Sequence, residues 1–117
     1  MEADVTEYLI KYYSSLLTDT EHLALKHLQH NEKLLVNGDA DSRERMREMY
    51  LRMNWLTNDA RVLTLLQDGQ EMFIQRAAQR IYAENGGEQL LNRCRACNRL
   101  ARTPQARQCR YCNFDWH

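Results

Sequence analysis

CRACN at residues 94–98 returns fifteen residues later as CRYCN at residues 109–113. These two segments hold all four cysteines of the chain: Cys94, Cys97, Cys109 and Cys112. Two CxxC pairs so close together have metal-site spacing, because each turn directs two thiolates toward one ion. Four thiolates are typical of a closed structural zinc site, so we predict one structural Zn2+ held by these cysteines. A redox dithiol pair or an iron centre is the alternative.

The residue after each CxxC pair is an asparagine, Asn98 in the first segment and Asn113 in the second. This position commonly needs a positive φ, which asparagine tolerates best after glycine. Residues 98–108 are long enough for two short strands around a tip at Thr103-Pro104. We predict a zinc-ribbon hairpin whose folding depends on the metal, because so short a segment cannot bury a sufficient core.

The rest of the chain has the composition of a helical protein. One Pro, four Gly and 44% hydrophobic residues favour helix over sheet. Apolar residues recur at helical spacing, and Thr18 with Glu21 forms a capping-box pattern. We predict a mostly α fold, a small bundle of four or five helices with a C-terminal zinc-ribbon β-hairpin. The predicted helices cover residues 4–17, 18–35, 43–54, 57–66 and 70–85.

The charge of the chain changes sign near its C-terminus. Residues 1–90 hold 15 acids against 10 bases, whereas residues 91–117 hold six arginines against one acid. This change follows Asn85-Gly86-Gly87, a run that suits the end of a helix. We therefore predict two domains, a helical bundle at 1–87 and a zinc ribbon at 88–117.

The N-terminal segment MEADVTEYLIKYY has no apolar run of signal-peptide length. No segment approaches the roughly 18 apolar residues of a membrane span. We therefore expect a cytoplasmic protein that does not associate with a membrane and whose thiols stay reduced.

The C-terminal run LARTPQARQCRYCNFDWH, residues 100–117, resembles the endings of short, uncharacterised bacterial proteins that join a helical segment to a zinc ribbon. The resemblance covers the last quarter of the chain. It implies a fold but no activity, and no catalytic residue can be carried over from it. Related ribbons place glycine after the second cysteine of each turn, where this chain has asparagine, and this difference leaves the zinc site intact.

Two groups of residues on the predicted helices have alternative interpretations. His27 and His30 lie one turn apart and could grip a metal, but no ExxH pair accompanies them, so we interpret them as exposed or partly buried histidines. Met46, Met49 and Met53 form a stripe that belongs either to the core, which we prefer, or to an adaptable partner groove.

The predicted ribbon is rich in arginine and aromatic residues. Its six arginines are Arg93, Arg95, Arg99, Arg102, Arg107 and Arg110. They could contact phosphates while Tyr111, Phe114 and Trp116 stack on bases. Alternatively, the arginines balance the formal charge of −2 of a four-thiolate zinc centre, and Phe114 and Trp116 pack the ribbon onto the helices.

No catalytic motif stands out: the chain lacks a phosphate loop, a nucleophile elbow, an HExxH motif and a glycine-rich dinucleotide turn. We therefore expect that the protein is not an enzyme. Our first hypothesis is a non-catalytic cytoplasmic zinc-binding protein, a monomer or small homo-oligomer. It would act as a protein-protein interaction or regulatory adaptor, for example by neutralising a toxin. The alternative is a nucleic-acid-binding regulator that uses the arginine-rich ribbon, and a third hypothesis is metal or redox sensing.

Overall fold

The computed structural model describes residues 1–36 and 38–116. This part of the chain is mostly helical, as the composition predicts. Its five α-helices are α1 (Ala3–Tyr12), α2 (Asp19–Leu35), α3 (Ala40–Arg52), α4 (Ala60–Leu65) and α5 (Gln70–Glu84). Two short 3-10 helices, Ser14–Leu16 and Gly87–Leu90, follow α1 and α5.

Local capping interactions set where two helices begin. The predicted capping box forms at α2: the Glu21 amide donates to the Thr18 hydroxyl at 3.1 Å, and the Thr18 amide donates to the Glu21 carboxylate at 2.8 Å. Helix α3 begins three residues earlier than predicted. Its N-cap is Asp39, whose carboxylate accepts the Ser42 amide at 2.8 Å. Asp39 therefore caps the helix ahead of the predicted start at residue 43.

The first helix is shorter than predicted. Helix α1 ends at Tyr12, and the chain continues through the 3-10 helix at Ser14–Leu16 instead of an α-helix to Leu17. Two long-range hydrogen bonds hold this end. The Tyr13 hydroxyl donates to the Leu90 carbonyl at 2.8 Å, and the Arg80 guanidinium donates to the Leu16 carbonyl at 3.1 Å.

The chain forms two compact units. The first contains Met1–Leu17 together with Ile74 and the residues that follow, and the second is Thr18–Phe73. By this grouping α1 and most of α5 belong with the cysteine segment. The division into independent domains at 1–87 and 88–117 stays a prediction.

Each unit has its own buried side chains. In the first unit most of them come from α1, from α5 and from the cysteine segment, among them Val5, Tyr8, Leu9, Ala77, Ala78, Ile81, Leu100 and Ala101. In the second unit Leu34, Tyr50 and Leu56 form a core cluster, against which Met46, Leu51 and Trp55 pack.

The described residues contain no β-strand, so the predicted ribbon hairpin is not shown. Two isolated antiparallel bridges are present instead, one from Arg93 to Leu100 and one from Gln108 to Asp115. The prediction paired the residues around Leu100 with those around Gln108. In the structure each CxxC turn reverses the chain and brings together the residues on its own two sides.

Candidate metal centre

The first cysteine turn, residues 92–101, is held by a small set of backbone hydrogen bonds. The Cys94 amide donates to the Arg99 carbonyl at 2.8 Å, and the Asn98 amide donates to the Cys94 carbonyl at 3.0 Å. Asn98 has a φ of 64°, as predicted. The amides of Ala96 and Cys97 point at the Cys94 sulfur, at 3.3 and 3.4 Å. Such amide donors stabilise a thiolate and orient it toward a metal.

The second turn, residues 107–116, repeats this pattern fifteen residues later. The Cys109 amide donates to the Phe114 carbonyl at 2.8 Å, and the Asn113 amide donates to the Cys109 carbonyl at 3.0 Å. Asn113 also has a φ of 64°. The amides of Tyr111 and Cys112 lie 3.3 and 3.5 Å from the Cys109 sulfur. The five-residue sequence repeat is thus part of a longer structural repeat.

The two turns bring their four sulfur atoms together. All four Sγ atoms lie within 4.8 Å of one another, and the Cys94–Cys112 and Cys97–Cys109 pairs are both 3.6 Å apart. A tetrahedral zinc with Zn–S bonds of about 2.3 Å separates its sulfurs by about 3.8 Å. None of these cysteines forms a disulfide. The group therefore has a donor set and spacing that could hold one metal ion.

In both turns the first cysteine is more buried than the second. The first cysteine is buried, with Cys94 at 2% and Cys109 at 1% exposure, whereas Cys97 and Cys112 are exposed. One side of the sulfur cluster therefore faces the protein interior and the other faces solvent.

The thiol pKa values follow the hydrogen bonds. At Cys94 burial raises the pKa, but the Cys97 and Ala96 amides and the neighbouring thiols outweigh it and bring the pKa to about 6. The Cys112 amide is the largest influence at Cys109, whose pKa is also lowered. At Cys112 the Phe114 amide lowers the pKa, but burial and the other thiols raise it to about 11. A metal that binds all four sulfurs must displace the protons that remain.

One residue that sequence analysis missed, Asn92, organises the loop between the turns. Its side-chain amide donates to the carbonyls of Thr103, Pro104 and Ala106, at 2.9, 3.3 and 2.8 Å. Its side-chain oxygen accepts a hydrogen bond from Arg95 at 3.0 Å. No local sequence pattern marks Asn92, because the three carbonyls that its side-chain amide binds are 11 to 14 residues away.

Four of the six arginines interact within the first unit. Arg93 forms an ion pair with Glu88 at 2.7 Å, and Arg95 lies over the Trp116 ring at 4.7 Å. Arg99 and Arg110 lie over the Tyr111 ring, at 4.8 and 4.9 Å from its centroid.

The other two arginines, Arg102 and Arg107, are exposed and lie in or next to the loop between the turns. Within residues 1–36 and 38–116 neither side chain has a hydrogen-bond or ion-pair partner. They are therefore available to an external anion.

A cavity of about 480 Å³ also lies in the first unit. Tyr8 of α1 and Leu100 are among its apolar lining residues, and its charged lining residues include Asp4, Glu7 and Arg102. Acids and bases both line it, so the cavity does not favour one sign of ligand charge.

The histidines that sequence analysis considered as ligands make structural contacts in the second unit. The His27 ring accepts the Thr57 amide at 3.2 Å, and the His30 ring stacks on Trp55 with 4.9 Å between centroids. Both side chains are half-buried.

The methionine stripe of α3 divides between core and surface. Met46 packs on the core cluster of the second unit, but Met49 and Met53 are 38% and 49% exposed. The prediction of a core stripe is therefore wrong for Met49 and Met53.

Comparison with protein-family models, with curated proteins and with solved structures finds no match. Over residues 1–36 and 38–116, no helix has both the length and the apolar character needed to cross a bilayer.

Proposed function

We propose that the protein is a non-catalytic, zinc-binding adaptor that acts by binding another protein in the cytoplasm. The observation that carries the zinc assignment is the group of four sulfurs within 4.8 Å of one another, presented by two equivalent turns. Zinc is the ion that most commonly takes four thiolates in such a turn pair. A four-thiolate shell is closed to substrate, which favours a structural role for the ion.

Two exposed methionines, Met49 in α3 and Met53 directly after its last residue, support a protein partner. Met49 and Met53 lie one helical turn apart, so their side chains share a face. Methionine is flexible and polarizable, and it adapts its shape to different partner surfaces. Arg45 and Arg52 are helical neighbours of Met49 and favour a partner with acidic groups at its edge. A regulatory or toxin-neutralising role is one form that such binding would take.

Two measurements test this proposal. Native mass spectrometry before and after chelation reports the metal stoichiometry, and we expect one zinc per chain. Affinity capture from a lysate of the source organism then compares the wild-type protein with a Met49→Ala/Met53→Ala variant. A partner that the wild type captures and the double variant loses supports the adaptor function. No metal in protein prepared without chelators contradicts the zinc site, and identical capture by both proteins contradicts the role of α3.

A second candidate function, nucleic-acid binding, is favoured by the unpartnered guanidinium groups of Arg102 and Arg107. Six arginines, one aspartate and a zinc-thiolate centre of charge −2 leave residues 91–116 with a charge of about +3. Such a segment attracts phosphates, and its affinity must fall steeply with salt. Nucleic-acid binding that persists unchanged between about 50 and 200 mM salt contradicts this candidate.

A further inference from the structure

The second cysteine turn carries two exposed aromatic rings, Phe114 and Tyr111. Phe114 is 42% exposed, although packing onto the helices was one expectation for it. Its ring stacks on Trp116 with an interplanar angle of 23° and 6.4 Å between centroids. Because Phe114 keeps much of its surface free, the stack of Phe114 and Trp116 can accept another flat ring.

Tyr111 is a second exposed ring on the same turn. It is 47% exposed, and in the sequence it precedes Cys112, whereas Phe114 follows Cys112. The guanidinium groups of Arg99 and Arg110 lie over its ring, and Arg110 also donates to its hydroxyl at 2.9 Å. The two guanidinium groups occupy the Tyr111 ring, so this residue holds positive charge on the turn and Phe114 is the ring left for a base.

The cysteine turn holds the backbone of all three aromatic residues. The Tyr111 amide donates to the Cys109 sulfur, and the Phe114 carbonyl accepts the Cys109 amide. The Trp116 amide donates to the Arg107 carbonyl at 2.9 Å. Rings on a fixed backbone lose less conformational freedom on binding than rings on a mobile loop, so more of the interaction energy appears as affinity.

We propose that the exposed Phe114 ring binds a base of a single-stranded nucleic acid, with Arg102 and Arg107 contacting its phosphates. This inference rests on the second candidate function and specifies the kind of nucleic acid and its site. A single strand is the ligand that fits, because its bases have free π faces, whereas the bases of a duplex stack on one another. The contacts are sequence-tolerant, because every base has a π face.

The test uses the full-length zinc-loaded protein and fluorescence anisotropy of two labelled probes, a short oligothymidine strand and a duplex of equal length. The variant Phe114→Leu keeps an apolar side chain but removes the aromatic face. Leu63→Ala is the matched control, because Leu63 is also 42% exposed but belongs to α4 of the second unit. Native mass spectrometry verifies that every variant retains its zinc.

We expect the wild type to prefer the single strand, and Phe114→Leu to raise the Kd about fivefold or more. The Leu63→Ala protein should bind like the wild type. An Arg102→Ala/Arg107→Ala variant should weaken binding and flatten the dependence of affinity on salt. The logarithmic slope should fall by about 0.7 for each phosphate that the variant no longer neutralises.

Three results overturn the inference, and they are distinguishable. An unchanged Kd for Phe114→Leu, with weaker binding by the arginine variant, means that charge alone holds the strand, and nucleic-acid binding survives without base stacking. Equal or tighter binding of the duplex also means that charge, and not base stacking, holds the nucleic acid. No binding of either probe at about 50 mM salt removes the inference and the second candidate function together.

Discussion

Replacing Asn98 by alanine should weaken zinc binding through the backbone alone, because Asn98 is not a metal ligand. Its φ of 64° lies in the left-handed region, where the Cβ of an ordinary residue crowds a carbonyl oxygen at a cost of about 1–2 kcal/mol. Asparagine tolerates this region and glycine occupies it freely. The turn cannot easily relax, because the Asn98 amide donates to the Cys94 carbonyl at 3.0 Å.

The expected magnitude follows from these costs. If alanine costs about 1 kcal/mol more than asparagine at this φ, and if the turn orders only when metal binds, the zinc Kd rises about fivefold. Asn113 has the same φ, so Asn113→Ala should have the same effect. The double variant should lose about 25-fold if the two turns contribute independently. Asn98→Gly should cost little or nothing.

The assay is a competition for zinc between the protein and a chromophoric chelator. The control is Asn54→Ala, since Asn54 also has a positive φ, 61°, but lies in the second unit. This control should lower the free energy of unfolding of the second unit and leave the zinc Kd unchanged. Equal zinc affinities for Asn98→Ala and Asn98→Gly would refute the backbone argument, as would a loss of affinity in the control.

Three further predictions concern the ligands and the second unit. Cys109→Ser should weaken zinc binding more than about 100-fold, because losing a metal ligand costs more than losing an outer-shell partner, which costs up to about 100-fold. Full zinc content after mild chelation, measured by native mass spectrometry, would contradict this prediction. Thr18→Ala should lower the free energy of unfolding by about 1 kcal/mol in urea titrations, because it removes the cap of α2, and an unchanged midpoint would show that the cap is dispensable. Burial, and then the charge of Arg47, lower the pKa of His27 below 6.5, and its neutral ring accepts the Thr57 amide. As the pH falls, the unfolded chain therefore protonates His27 before the folded chain does, so the stability of the second unit should decline below about pH 6.5. The His27→Gln variant should lose this pH dependence. A wild-type stability that stays flat down to about pH 5 would contradict the prediction.

Local signals in the sequence predicted much of the cysteine segment. The CxxC spacing predicted that four sulfurs would approach one another, and the asparagine after each pair predicted a positive φ. Both features depend on residues only a few positions apart. The capping box at Thr18 was correct for the same reason, since its partners are three residues apart.

Errors arose where a longer-range interaction competed with a local pattern. The apolar periodicity of α1 continues to Leu17, but bonds from Tyr13 to Leu90 and from Arg80 to Leu16 accompany a 3-10 turn there. Leu100 and Gln108 were expected to approach each other across a hairpin, yet each bridges within its own turn. Register of this kind depends on how the chain reverses, which composition does not specify.

The sequence by itself determined the helical character of the chain, the residues that can form a metal centre and the backbone conformation beside them. Only the tertiary structure decided which side chains became core and which stayed at the surface. Met49 and Phe114 have the apolar character of core residues, yet both keep an exposed surface. The physical reason is that burial depends on which distant segments meet, such as α1 and most of α5 in one compact unit with the cysteine turns. Local spacing carries no information about that meeting.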